Sequence, residues 1–158
     1  MTSLPANGSR LCFDVGQARI GVAKCSADQI LAVPVSTLKP SETLIAEIAS
    51  QLIAEPVGAV YVGLPVNLSG QHTASTELAV EFASSLRSQI VALALAIPVH
   101  LIDERFSTTV ANRNLTAAGK SARESRSVVD MAAAVEILNF ALEIEKRDQA
   151  LAGHPVQT

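Results

Sequence analysis

Apolar residues recur at every second position near the start of the chain, which predicts β-strands. Leu11, Phe13 and Val15 follow this rhythm and are followed by Gly16, so a strand should enter a turn there. Pro34 places a later strand at a sheet edge or distorts it, because proline donates no backbone hydrogen bond. Three strands are predicted in this part of the chain, over residues 10–15, 20–25 and 32–38, and the first two should form a hairpin.

Beyond residue 40 the apolar spacing changes to the three- and four-residue period of helices. Ser41 is a suitable N-cap for a first helix, which Pro56 and Gly58 should end. The apolar run that follows Gly58 predicts a buried central strand over residues 59–62. The remaining predicted elements are a helix from 73 to about 95, a strand over 99–102, a short helix over 108–118, a basic loop over 119–126 and a final helix from 127 to about 147.

The order of these elements, βββ-α-β-α-β-α-α, predicts an α/β fold with five strands. An antiparallel meander should be followed by crossover units that add parallel strands. The chain has 158 residues, which fits one domain over 1–158, and its ends, 1–8 and 152–158, are expected to be flexible. Aromatic residues make up 3% of the chain, so the core must be built from aliphatic side chains.

Composition also predicts where the protein works. No apolar run approaches the roughly 20 residues that span a bilayer, and residues 1–9 do not resemble a secretory signal. Cys12 and Cys25 lie in aliphatic runs and are expected to be buried, reduced thiols. These features predict a cytoplasmic protein without a membrane partner.

Charge is unevenly distributed along the chain. The net charge is −3, which argues against a general nucleic-acid binder. Residues 105–126, however, contain five basic residues and one acidic residue, a local charge of +4. Such a segment can contact phosphates or can be an ordinary solvated helix face, and the sequence leaves both interpretations open. The basic residues are Arg105, Arg113, Lys120, Arg123 and Arg126.

Carboxylates stand at unusual places in the predicted elements. Asp14 interrupts the apolar first strand, where it needs a cation, donors from the turn or a salt bridge to Arg19. Asp103 and Glu104 directly follow a strand, at the edge where open α/β sheets bind ligands, but an acidic pair there can also be solvated or cap the helix that follows. Asp130 shares an apolar helix face and also matches the capping-box pattern that begins at Ser127, so it could cap a helix or bind a ligand.

Together these carboxylates predict a metal site. Carboxylates from the first strand, the last strand and the start of the last helix can converge above the sheet. Oxygen ligands favour Mg²⁺ or Mn²⁺, and two such ions about 4 Å apart can promote in-line displacement at a phosphodiester. The prediction is therefore a nuclease that uses two divalent ions and holds phosphates with the basic segment.

Four blocks of sequence resemble the YqgF (RuvX) family. Residues 13–23 resemble its D-x-G-x-x-R-I-G-x-A start, and residues 62–70 resemble its V-G-L-P-x-N-x-x-G strand and loop. Residues 103–108 resemble its D-E-R-x-[ST]-T segment, and residues 118–134 its A-G … V-D-x-x-A-A ending. The family's basic pair before R-I-G is replaced here by Gln17 and Ala18.

The resemblance implies a ribonuclease-H-like fold and a divalent-metal nuclease. It implies that Asp14, Glu104 and Asp130 are the catalytic, metal-binding carboxylates, although the choice between Asp103 and Glu104 stays open. The implied substrate is the 5′ end of pre-16S rRNA, with four-way DNA junctions as the alternative. Residues expected to contact nucleic acid are Arg19, Asn67, Arg105, Lys120, Arg123 and Arg126.

Other interpretations remain. A non-catalytic RNA-binding assembly factor would keep the basic segment but would not need inward-facing acids. An actin-like ATPase or sugar kinase shares the D-x-G turn but needs a second lobe and a second such motif, and the phosphate-binding G-x-x-x-x-G-K-[ST] motif is absent from the sequence. The oligomeric state, monomer or homodimer, also stays open.

Overall fold

Six strands form one mixed sheet in the part of the chain that the structure describes. The structure is a computed structural model that describes residues 2–28, 31–65, 69–104 and 122–157. The strand order is β3-β2-β1-β4-β5-β6. The strands are β1 (Arg10–Val15), β2 (Ile20–Cys25), β3 (Val33–Leu38), β4 (Ala59–Leu64), β5 (Val99–Asp103) and β6 (His154–Pro155).

The pairing of the strands confirms the predicted meander and crossovers. β1, β2 and β3 pair antiparallel, and β4 adds parallel to β1 with β5 parallel to β4. β3 lies at the sheet edge, and its register with β2 shifts near Pro34, so both predicted effects of this proline occur. The sheet has six strands instead of five, because β6 in the tail pairs antiparallel with β5. The sequence alone predicts a flexible tail at residues 152–158.

Three helices cover the two faces of the sheet among the described residues. They are α1 (Leu44–Ala54), α2 (Ala74–Ala92) and α3 (Ala122–Asp148). α2 begins at Ala74, one residue after the predicted start, and Thr73 is its N-cap. The N-cap of α1 is Thr43 instead of Ser41. The predicted helix over 108–118 lies outside the described residues. None of the described helices is long and apolar enough to cross a membrane.

The start of α3 corrects the sequence prediction. α3 begins at Ala122, so residues 122–126 are helical and do not belong to the predicted basic loop. Ser127 therefore lies inside the helix and cannot be its N-cap. Asp130 lies eight residues after the first residue of α3, more than two turns along it. The capping-box interpretation of Asp130 is wrong.

The core has two halves, one on each face of the sheet. Phe13 belongs to the half formed with α1 and α2, where its ring lies 5.1 Å from that of Phe82. Cys12 and Tyr61 belong to the half formed with α3. Side chains alternate between the faces of a strand, so Asp14 faces α3 together with Cys12. The alternation of side chains along β1 thus determines that the Asp14 carboxylate lies on the face covered by α3.

A buried ion pair joins α3 to the start of β1. The Arg10 Nε and Nη2 atoms donate to both oxygens of Glu145, at 3.0 and 2.7 Å, and neither residue is more than 2% exposed. The Tyr61 hydroxyl donates to Glu145 at 2.7 Å, and the Ala152 N–H donates to that hydroxyl at 3.0 Å. A charged pair at this depth is stable because each partner is neutralised and hydrogen-bonded by the other.

The same region attaches the tail to β5. His100 is 1% exposed, and its Nδ1 lies 2.8 Å from the carbonyl oxygen of Ala152. A carbonyl can only accept, so Nδ1 carries the proton in this contact. Burial lowers the pKa of His100, and the neighbouring His154 lowers it further against the opposing hydrogen bond to Ala152. The neutral imidazole is therefore the form that the fold favours.

We expect Glu145→Gln to lower the free energy of unfolding by about 3–5 kcal/mol, because the Arg10 guanidinium would be left buried without its counter-ion. Glu143→Gln, on an exposed position of the same helix, should change it by less than about 0.5 kcal/mol. Urea unfolding of both variants measures the difference. Equal, small effects would contradict a structural role for the pair.

Acidification should destabilise the protein through His100. The folded-state pKa is lowered, so the unfolded chain binds the proton more tightly. The stabilisation is complete above the unfolded pKa of about 6.5 and is lost as the pH falls below it. His100→Asn should therefore reduce the fall in Tm between pH 7.5 and 5.5, while His72→Asn, at an exposed position, should not. A pH dependence that is the same in wild type and His100→Asn would contradict this assignment.

Candidate active site

Asp14 is a nearly buried carboxylate in a central strand. It is 8% exposed and lies one residue before the end of β1. Its partner on β2 is Gly21. Burial raises the pKa of the Cys12 thiol, and the negative charges of Asp14 and then Glu104 raise it further. Both carboxylates therefore lie close enough to Cys12 for their charges to raise the pKa of this thiol.

Glu104 lies beside Asp14 because Gly63 leaves room for it. A Cβ added at Gly63 would lie 2.6 Å from Glu104 Oε2 and 2.8 Å from Ile137 Cδ1, closer than atoms can approach. Ile137 belongs to the half of the core formed with α3, so the Glu104 carboxylate lies on that face of the sheet. Gly63 is in β4, between the strand that carries Asp14 and the strand that precedes Glu104.

Asp103 and Glu104 differ in the face that they present. Ile102 belongs to the half of the core formed with α3, and Asp103 is the next residue of β5. Side chains alternate along a strand, so Asp103 points to the face opposite the one where Glu104 meets Gly63. Of the two acids left open by the sequence, Glu104 is the one that shares a face with Asp14.

Asp130 reaches the same end of the sheet through a close contact of α3 with β2. A Cβ at Gly21 would collide with the backbone carbonyl oxygen of Asp130. Gly21 is also the cross-strand partner of Asp14. This glycine therefore allows α3 to approach the sheet where the first carboxylate lies.

Arg19 binds the side chain of Asp130. Its Nε donates to Asp130 Oδ2 at 3.0 Å, and the two side chains are 26% and 24% exposed. The sequence suggests two roles for Arg19, as a salt-bridge partner of Asp14 and as a contact for nucleic acid. The structure shows it paired with the third predicted carboxylate.

The three predicted carboxylates lie on the α3 side of the sheet but do not form a ready metal cluster. Among the described residues, no three Asp, Glu, His or Cys side chains are placed to share one ion. Of the predicted nucleic-acid contacts, Arg123 and Arg126 belong to the first turns of α3. Asn67, Arg105 and Lys120 lie outside the described residues.

Two glycines have a role at this site that the sequence did not predict. Gly21 and Gly63 both occur in the family-like blocks, but the blocks alone do not say what each glycine contacts. A glycine inside a strand often marks a close approach of another backbone or group. The positions of Gly21 within a predicted strand and of Gly63 directly after one were therefore the sequence features that could have indicated these contacts. The structure shows that Gly21 contacts the Asp130 backbone and Gly63 the Glu104 carboxylate.

Comparison with known proteins identifies the family. The model of the RuvX family, described as Holliday junction resolvase, matches residues 8–144. The chain belongs to the RuvX family. A relative from Leifsonia xyli subsp. xyli, named as a candidate pre-16S rRNA nuclease, is 44% identical over 156 residues, or 96% of each chain. A relative of the same name from Streptomyces coelicolor is 43% identical, over 88% of this chain and 82% of its own.

Solved structures agree with the predicted fold. RuvC of T. thermophilus, solved in complex with a Holliday junction substrate, aligns with a TM-score of 0.55 at 15% identity over 93% of this chain and 98% of its own. A second structure of Thermus thermophilus RuvC aligns with a TM-score of 0.52 at 14% identity, over 93% and 99% of the two chains. The ribonuclease-H-like fold and the RuvX family predicted from the sequence are confirmed, and family membership agrees with the prediction of a nuclease.

We expect Gly63→Ala to reduce nuclease turnover at least tenfold, because its Cβ must displace the Glu104 carboxylate. Overpacking should also lower stability by about 1–3 kcal/mol. Val62→Ala, at the next position but in the half of the core formed with α1 and α2, should cost on the order of 2 kcal/mol and keep turnover. Thermal melts give the Tm of both variants, and turnover measured well below those temperatures then separates loss of activity from loss of stability. Equal turnover in Gly63→Ala and Val62→Ala would show that Gly63 contributes to packing but does not position Glu104.

Proposed function

We propose that this RuvX-family chain is a divalent-metal-dependent nuclease in which Asp14, Glu104 and Asp130 are the catalytic carboxylates. The observation that carries the proposal is the pair of acids, Asp14 and Glu104, which lie on one face of the sheet at the carboxyl ends of β1 and β5, the two strands that flank β4. Like charges repel, and a carboxylate that is 8% exposed is costly to keep ionised. A bound cation would offset both effects.

The donor atoms fit a hard cation. Asp14, Glu104 and Asp130 offer carboxylate oxygens only, which Mg²⁺ and Mn²⁺ prefer. Asp14 and Glu104 would hold the first ion, and Asp130 would join when its carboxylate is released by Arg19. When bound, one or two such ions supply a deprotonated water and stabilise the charge of the leaving oxygen.

The chain's own residues would position the substrate. The carboxyl ends of β1, β4 and β5 carry or flank the acids, which is the edge where open α/β sheets bind ligands. The basic first turns of α3 lie on the same helix as Asp130. We propose that phosphates are held by Arg19, Asn67, Arg105, Lys120, Arg123 and Arg126, since phosphate contacts set the register of a bound nucleic acid.

The proposed substrate is the 5′ end of pre-16S rRNA, acted on in the cytoplasm. The names of the relatives from Leifsonia xyli subsp. xyli and Streptomyces coelicolor support it. Cleavage of four-way DNA junctions is the second candidate, supported by the description of the family model. A non-catalytic RNA-binding role is less well supported, because it gives no reason for Asp14 and Glu104 to share a buried face.

A cleavage assay distinguishes the candidates. The purified protein is incubated with an RNA that spans the 5′ end of 16S rRNA, with a four-way DNA junction and with an unstructured RNA of equal length. Each reaction is run with Mg²⁺, with Mn²⁺ and with a chelator. We expect metal-dependent cleavage of the precursor RNA at a defined position. Cleavage of the junction alone would favour the second candidate, and binding without cleavage would favour the third.

We expect Asp14→Asn to abolish metal-dependent cleavage and to leave the metal-free protein as stable as wild type or more stable. The reason is that the substitution removes a nearly buried charge whose proposed counter-ion is the metal. Asp28→Asn, at an exposed position, is the control and should keep full activity. Thermal melts in chelator accompany the assay. A stability loss of several kcal/mol in Asp14→Asn would mean that Asp14 is a structural ion-pair partner.

A further inference from the structure

The ion pair of Arg19 with Asp130 spans the gap between the β1–β2 hairpin and α3. Its two side chains are each about a quarter exposed, and the Nε–Oδ2 distance is 3.0 Å. The pair lies next to Asp14, because Gly21, the strand partner of Asp14, contacts the backbone of Asp130. Asp130, one of the three proposed metal ligands, is thus paired with a cationic side chain in this structure.

We propose that Arg19 is an exchangeable counter-ion of Asp130. It binds this carboxylate in the free protein and transfers to a phosphate of the nucleic acid when substrate arrives, which releases Asp130 to bind a divalent cation. The inference rests on the proposed metal-dependent nuclease function and adds a positioning residue to it. It also predicts that substrate and cation each promote binding of the other.

The exposure of the pair makes such an exchange feasible. Partly exposed ion pairs contribute little to stability, because water already solvates both charges. The Arg10–Glu145 pair, which holds the same helix to β1, is at most 3% exposed, so it is costly to break and suits a permanent anchor. The guanidinium of Arg19 can accept a phosphate in place of a carboxylate, since its planar donors match either group.

The charges at the site give the exchange its direction. Without a cation, Asp14, Glu104 and Asp130 put negative charge on one side of the sheet, and Arg19 offsets part of it. A divalent cation at these acids would be repelled by Arg19 at the same place. Transfer of Arg19 to a phosphate removes that repulsion and frees a ligand. Linkage then requires that the cation strengthen substrate binding by the same factor.

Two binding measurements on the full chain test the proposal, and neither uses turnover. The first is calorimetric titration of the free protein with Mn²⁺. We expect Arg19→Gln to bind Mn²⁺ about two- to fivefold more tightly than wild type, the range that loss of a partly exposed competing pair allows. The second is titration of a fluorescent RNA hairpin without divalent cations. Arg19→Gln should bind the hairpin more weakly, with a shallower dependence on salt.

Arg147→Gln is the matched control. Arg147 also pairs with an acid, Asp148, but at the far end of α3. Its substitution removes the same charge and one ion pair, so the net charge of the two variants is equal. We expect wild-type Mn²⁺ affinity for Arg147→Gln. Arg19→Met serves as a second neutral variant if Arg19→Gln melts at a lower temperature than wild type.

Unchanged or weaker Mn²⁺ binding by folded Arg19→Gln and Arg19→Met would overturn the exchange. Asp14→Asn, measured alongside, separates this failure from failure of the proposed function. If Asp14→Asn loses Mn²⁺ binding and the Arg19 variants match wild type, only the exchange is wrong. If wild type and Asp14→Asn bind Mn²⁺ equally or not at all, the metal site is wrong and the exchange with it.

Discussion

The charge of Asp14 in a central strand is the constraint on which the site depends. A strand in a sheet that helices cover on both faces favours apolar side chains, and β1 is apolar except at Arg10 and Asp14. These two charges lie at opposite ends of the strand. Arg10 is neutralised within the protein by Glu145. Asp14 shares its surroundings with a second acid, Glu104, so the local charge there is what a cation would offset.

Gly21 and Gly63 make the space that brings the other two acids to Asp14. An aliphatic residue at position 63 would occupy the space of the Glu104 carboxylate, and any side chain at position 21 would hold α3 away from β2. The two glycines lie on strands that flank β1 on either side. They therefore let one acid approach Asp14 from β5 and the other from α3. Small residues here do the positioning that is usually attributed to the polar residues themselves.

Sequence reasoning was most successful where one local pattern decides the outcome. The alternation in β1 and the glycine after it predicted that strand and its hairpin, and both bounds of β1 and β2 match. The start of α2, predicted at Thr73 and found at Ala74, was equally local. The start of α3 was mispredicted because Ser127 looks like an N-cap, although the helix had already begun at Ala122. A polar, basic stretch can be either loop or exposed helix, and only tertiary contacts decide between them.

The long-range contacts were beyond the reach of local patterns. Arg10 and Glu145 are 135 positions apart, and neither has a neighbour in sequence that indicates its partner. The same holds for Arg19 and Asp130, which are 111 positions apart. The three acids could be named from their misplacement in apolar elements and from family resemblance. The choice between Asp103 and Glu104 could not be made from the sequence. It depends on which face of the sheet Ile102 occupies, because side chains alternate along β5.

α3 connects the stable end of the molecule with the proposed site. Glu145 and Asp130 lie 15 residues apart on this helix, about 22 Å at 1.5 Å per residue. At the Glu145 end the helix is held by a fully buried ion pair and the Tyr61 hydroxyl. At the Asp130 end it is held by a partly exposed pair and by the contact with Gly21. The strong attachment orients the helix, so the weak one can break at Asp130 without the helix leaving the sheet. A carboxylate that must exchange partners is best carried on an element anchored elsewhere.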